Sequence, residues 1–184
     1  MSNFSKFLLV SALCSAFAGA AMAAGESDST TTTSPKKLKC KQGEVVKEVT
    51  ENGKKVQKCV KVESGILPDE ELYQQGRALA KDGEYDWALT VLATVSNQND
   101  PRVLNYTGYS YRKGGHLEIG ITYYRKALAI NPDFVLAREY LGEGYVAAGR
   151  VDLARLELGE IEKRCGTTCE EYKDLSAAIA TAVN

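Results

Sequence analysis

Five cysteines and a single histidine are the residues with which this chain could do metal or redox chemistry. Their spacing argues against both. Cys165-Gly166-Thr167-Thr168-Cys169 is a C-x3-C pair, whereas disulfide oxidoreductases use C-x-x-C inside a strand–helix–strand setting that is absent here. Cys40 and Cys59 stand far apart with no histidine nearby, so they lack the ligand spacing of a zinc site. Cys14 lies in the apolar run FLLVSALCSAFAGAAMA that follows Lys6. That run is short for a membrane span and ends at Ala21-Met22-Ala23, a small-x-small cleavage site. Residues 1–23 therefore read as a secretory signal peptide, and Cys14 leaves with it. The four cysteines that remain, an even number behind an export signal, point to disulfide bonds. They allow three connectivities, of which nearest-neighbour pairing is the simplest. The expected location is periplasmic or secreted, and the alanine-rich signal suggests a bacterium.

No other constellation suggests catalysis. His116 occupies a place that Glu84 and Arg150 take in the neighbouring segments, so that place tolerates any polar side chain. Asp86, Glu118 and Asp152 recur at one offset, where a helix begins and its macrodipole favours an acid. No phosphate-cradling loop, metal-ligand cluster or nucleophile motif appears. The chain reads as a non-enzyme without a cofactor or metal.

The offsets come from an internal repeat. GEYDWA (Gly83 to Ala88), GHLEIG (Gly115 to Gly120) and GRVDLA (Gly149 to Ala154) share one pattern: glycine, variable, apolar or aromatic, acid, apolar, small. Gly76, Gly108 and Gly142 keep the same offsets upstream, and every set steps by 32 and then 34 residues. Self-similarity at this period signals a helical solenoid. A mid-helix glycine costs roughly 1 kcal/mol against alanine, so close approach of a neighbouring helix is its natural reason. Ala88, Gly120 and Ala154 suit the facing side of that crossing. Gly83, Gly115 and Gly149 suit the left-handed residue that ends a helix. Asp100-Pro101 and Asn131-Pro132 pair an N-cap residue with proline at the first helical position. The pattern predicts helices over about 69–82, 84–96, 101–113, 117–130, 133–148 and 151–164.

The order of small and bulky residues resembles the tetratricopeptide repeat (TPR) family. Gly76, Gly108 and Gly142 are followed by Leu79, Tyr111 and Tyr145, then by Ala88, Gly120 and Ala154. Leu92, Tyr124 and Leu158 come next, then Val95, Ala127 and Ile161. Ala127-Leu128-Ala129-Ile130-Asn131-Pro132 is the best match to the family's repeat ending. The resemblance covers three repeats over residues 69–165. It implies an all-α solenoid whose first helices line a concave groove for a peptide or extended segment. The family's groove positions fall on Tyr73, Arg77 and Lys81, on Asn105, Tyr109, Arg112 and Lys113, and on Glu139, Glu143 and Val146. Such a groove is basic and aromatic at one end and acidic at the other. A subset of the family clamps a terminal carboxylate with lysine and asparagine. Asn105 fits that pattern, but Tyr73 and Arg77 replace the lysine–asparagine pair in repeat one. Most of the remaining tyrosines sit at helical spacing suited to packing between repeats.

Two appendages complete the chain. Residues 24–39 are Ser/Thr-rich without periodicity and read as a flexible linker. In residues 40–62, valine-rich runs flank Asn52-Gly53, a strong hairpin signal, and a Cys40–Cys59 bond would staple that hairpin. At the other end, Tyr172, Leu175, Ala178, Ile179 and Val183 give residues 169–183 an apolar face to cap the last repeat. Thr168 to Glu171 fits a capping box, and a Cys165–Cys169 bond would lock the cap in place.

The chain's net charge of −1 hides an asymmetry, with +5 over residues 36–63 and −5 over residues 64–184. Nucleic acid is not an expected partner of an exported chain without arginine–aromatic interleaving. The expected function is a periplasmic or envelope scaffold that binds a protein or peptide segment in its groove. The alternative is a structural envelope protein. There the basic residues 36–62 touch anionic lipid or cell-wall polymer, and the repeats self-associate.

Overall fold

Valine-rich runs on either side of an Asn-Gly pair make the first element a two-stranded hairpin. The computed structural model describes residues 38–183. The expected signal peptide with Cys14, and the expected linker up to residue 37, lie outside them. Strand β1 (Glu44–Glu51) pairs antiparallel with β2 (Lys54–Lys61), and Glu51 stands opposite Lys54. Asn52 and Gly53 both take positive φ, 49° and 74°, as a two-residue turn matched to the strand twist requires. Cys40 is bonded to Cys59.

The hairpin leans on the first helical pair, α1 (Asp69–Lys81) and α2 (Tyr85–Leu92). Gln75 presents its carboxamide to the outer edge of β1 as a third strand would. It accepts from the Val46 N–H and donates to the Val46 carbonyl, each at 2.7 Å. The Trp87 indole N–H donates to the Glu44 carbonyl at 3.0 Å. Val45 is buried in the same apolar cluster as Leu72, Val91 and Leu92. An unpaired strand edge is thereby covered by side chains.

Two further helical pairs follow, α3 (Pro101–Lys113) with α4 (Leu117–Ile130) and α5 (Val135–Ala147) with α6 (Val151–Cys165), and then α7 (Glu170–Ala182). Each helix packs on the next, and α1, α3, α5 and α7 also pack side by side. The first helix of each pair ends in the same way. At the α1 end the Glu84 N–H reaches the Leu79 carbonyl at 2.9 Å; His116 to Tyr111 and Arg150 to Tyr145 repeat this at 2.8 Å. The turn needs a left-handed residue, which Gly83, Gly115 and Gly149 supply. Arg102–Glu70 and Arg150–Glu118 tie consecutive pairs together across one repeat length.

The mid-helix glycines are tight contacts. A Cβ on Gly76 would lie 2.7 Å from Leu92, and one on Gly142 would lie 2.5 Å from Leu175 of α7. Leucine side chains are the nearest groups at those two crossings, and Ala88 and Ala154 are fully buried. At the middle pair the backbones themselves meet. A Cβ on Gly120 would fall 2.7 Å from the Gly108 carbonyl oxygen.

Three local expectations are corrected. α2 stops at Leu92 rather than near 96. Repeat one is two residues shorter than the next, so the chain turns early. Gln98 donates to the Leu92 and Val95 carbonyls, and Asp69 accepts from the Ser96 and Asn97 N–H groups. Asp100 does cap α3, accepting from the Arg102 N–H at 2.8 Å, but Asn131 does not cap α5. It makes a turn with the Asp133 N–H, and Phe134 stands at the N-cap. Thr168 likewise makes no capping box. Cys169 occupies the N-cap of α7, without a side-chain cap, and is bonded to Cys165. Both disulfides are thus between nearest neighbours.

Gly120→Ala is expected to destabilise the fold by about 2 kcal/mol or more, because rigid backbone blocks the added methyl. Gly159 in α6 has open space around a Cβ. Gly159→Ala should therefore stabilise by up to about 1 kcal/mol through helix propensity alone. Thermal melts of both variants by circular dichroism check this opposition.

Candidate functional site

The side-by-side packing of α1, α3, α5 and α7 creates a cavity of about 370 Å³ on their shared face. Its floor is aromatic. Tyr106, Tyr109 and Tyr140 touch one another, with ring centroids 5.1 to 6.5 Å apart. These rings stand on α3 and α5 at positions where the helix stripe turns inward.

One wall is cationic. Arg77 and Lys81 come from α1 and Lys113 from the end of α3. The Arg77 guanidinium donates to the Tyr106 hydroxyl at 2.9 Å, and the Lys81 ammonium donates to the Tyr140 hydroxyl at 2.7 Å. Lys81 also sits over the Tyr109 and Tyr140 rings, 5.2 and 5.3 Å from their centroids. The quadrupoles of the rings hold these cations. Among the described residues, none of the three has a carboxylate partner within ion-pair distance.

The opposite wall is anionic. Glu139 and Glu143 come from α5, and Glu170, Glu171 and Asp174 from α7. Glu143 is neutralised by Arg112, whose guanidinium lies 2.6 Å away. Glu139 is only 5% exposed and has neither hydrogen bond nor ion pair among the described residues. Burial, reinforced by the charges of Glu143, Asp174 and Glu171, pushes its carboxyl up to about 8. Burial also raises Tyr73 to about 12 and lifts the Tyr140 phenol above its usual range.

Six of the ten expected groove residues line the cavity: Arg77, Lys81, Tyr109, Lys113, Glu139 and Glu143. The other four do not. Tyr73 is buried against Tyr106 and lies beneath Arg102. Asn105 is fully buried, and neither carboxamide atom finds a hydrogen bond. Arg112 has a side chain only 8% exposed, bonded to Tyr124 and Glu143 between three helices. Val146 packs into the apolar cluster of the last two pairs. The acids of α7 went unread in the sequence because that segment was assigned only a capping role. For Glu170 and Glu171 the first turn of α7 is an equally good explanation.

Two groups of acids and cysteines lie close enough to share a metal, Cys40-Glu44-Cys59 and Cys165-Cys169-Glu171. In each the sulfurs are bonded to one another, so neither offers a thiolate. His116 is exposed at the start of α4, edge-on to Tyr111.

The raised Glu139 carboxyl has a consequence for stability. Its folded value lies above the ordinary 4.5, so its contribution is fully present below that value and is lost as pH rises through about 8. Glu139→Gln cannot ionise. It should match the parent protein near pH 5 and exceed it at pH 8.5 by ~1 kcal/mol or more, a few degrees in Tm. Melts at the two pH values test this.

No family model matches the chain, and no curated protein matches it. Solved structures do. MamA 41-end from Desulfovibrio magneticus RS-1 is 26% identical with a TM-score of 0.48, over 51% of this chain and 54% of that one. The chain thus spans about half of that relative. The first TPR of Spaghetti (RPAP3), bound to HSP90 peptide SRMEEVD, gives a TM-score of 0.56 at 15% identity, over 63% of this chain and 96% of that one. The Yersinia enterocolitica type III secretion chaperone SycD, in complex with a peptide of the translocator YopD, gives 0.53 at 18% identity, over 65% and 94%. With seven helices in this packing order among the described residues, this chain has the tetratricopeptide-repeat fold, preceded by a β-hairpin.

Proposed function

We propose that this protein is a non-catalytic binding module that holds an extended segment of another protein in the groove lined by α1, α3, α5 and α7. One observation carries the reading. Arg77, Lys81 and Lys113 stand unneutralised above a tyrosine floor, in a concave site large enough for several side chains. Cations without intramolecular counter-ions are available to a partner's carboxylates. Rigid tyrosines add contact area at low entropic cost. Two structures of the same fold carry bound peptides, one of them the acidic SRMEEVD.

The chain's start supports an exported setting, as the residues up to Ala23 have the order of a secretory signal. Two disulfides fit an oxidising compartment. We therefore place the scaffold in the periplasm or outside the cell.

The groove test must spare Arg112, because reversing a cation packed among three helices would damage the fold. Arg77→Glu with Lys113→Glu changes only exposed ends of the cationic wall. A crosslinking pull-down from the native envelope should recover the partner with the parent protein and at least tenfold less with the double variant, at unchanged helical circular dichroism. Equal recovery would move function off the groove.

A further inference from the structure

We infer that the α5–α7 end of the groove receives a basic side chain, lysine or arginine, of the bound segment, with Glu139 as its buried counter-ion. This rests on the groove reading above and specifies its ligand. The bound segment is then bipolar, with acids toward α1 and α3 and a base toward α5 and α7.

Three observations converge on this end. First, Glu139 is 5% exposed, lines the cavity and has neither hydrogen bond nor ion pair among the described residues. A buried carboxylate without a counter-charge is costly, and a cation arriving through the cavity removes that cost. Second, Glu170, Glu171 and Asp174 of α7 project into the same end, and none has an ion-pair partner among the described residues. Third, the nearest intramolecular cations are engaged elsewhere. Arg112 is paired with Glu143, and Lys81 is held on the Tyr140 hydroxyl and over two rings. With Glu143 paired to Arg112, the carboxylates left to meet a cation are Glu139 and the three acids of α7, all at the end of the cavity away from Arg77 and Lys113.

The pH dependence follows from the groups facing Glu139. Burial raises its carboxyl most, Glu143 beside it on α5 and Asp174 and Glu171 on α7 add to this, and Lys81 on α1 opposes them, leaving it at about 8. A bound ammonium favours the ionised form, so binding expels a proton and strengthens as pH rises toward that value.

Two capped probes separate the ends of the groove, acetyl-tetralysine amide and acetyl-tetraglutamate amide, titrated into ¹⁵N-labelled protein and followed by amide shifts. Tetralysine should move amides of α5 and α7, bind several-fold tighter at pH 8 than at pH 6.5, and lose at least tenfold affinity and the pH dependence in Glu139→Gln. Should that variant misfold, Glu171→Gln with Asp174→Asn on α7 should still weaken tetralysine several-fold. Equal tetralysine affinity in the parent protein and the variants, or a pH dependence that survives Glu139→Gln, overturns the inference. Tetraglutamate binding at Arg77 and Lys113 with no tetralysine binding overturns the cation site alone. Failure of both probes overturns the groove reading as well.

Discussion

The inner surface depends on one cation, Arg112. It leaves α3, donates to the Tyr124 hydroxyl of α4 and pairs with Glu143 of α5, with three tyrosine rings within 6 Å of its guanidinium. A buried pair of this kind is a weak source of net stability, yet removing one partner is expensive. Without Arg112, Glu143 would stand beside Glu139 with no counter-charge. The pair also links α3 to α5, both of which line the cavity. The Gly108–Gly120 backbone contact does the same for α3 and α4. Between them, a small residue and a buried ion pair hold the middle of the solenoid in one register.

Much of the fold was legible because its determinants are local and periodic. Glycines at constant offsets marked both the helix ends and the crossings. Asn52-Gly53 marked the hairpin turn, and the valine-rich runs on either side marked its strands. What stayed hidden depends on contacts far apart in the chain. Nothing in the pattern around Gln75 says that its carboxamide completes a strand edge 29 residues away. Nor does the pattern place the Trp87 indole on Glu44.

The site was legible in outline and not in detail. A helical stripe can name the face on which Tyr73, Asn105 and Arg112 lie. It cannot say that a neighbouring helix covers them, because coverage is set by the spacing of the next repeat. The α7 acids were missed for the converse reason. A helix that packs its apolar face as a cap also presents its first turn to the groove, and one segment does both. Glu139 shows the cost of the arrangement. A neutral side chain there would suit the folded state better at alkaline pH, so an acid in this place trades stability for a charge available to a ligand.

In this reading the groove, rather than the outer helices or the hairpin, holds the partner. The most direct measurement is site-specific photocrosslinking in the native envelope, with p-benzoylphenylalanine placed in turn at Lys113 in the groove, Arg155 on α6 and Lys54 at the hairpin tip. All three positions are exposed. A discrete partner adduct is expected from Lys113 alone, competed by an added acidic peptide. Adducts from Arg155 or Lys54 with none from Lys113 would contradict it.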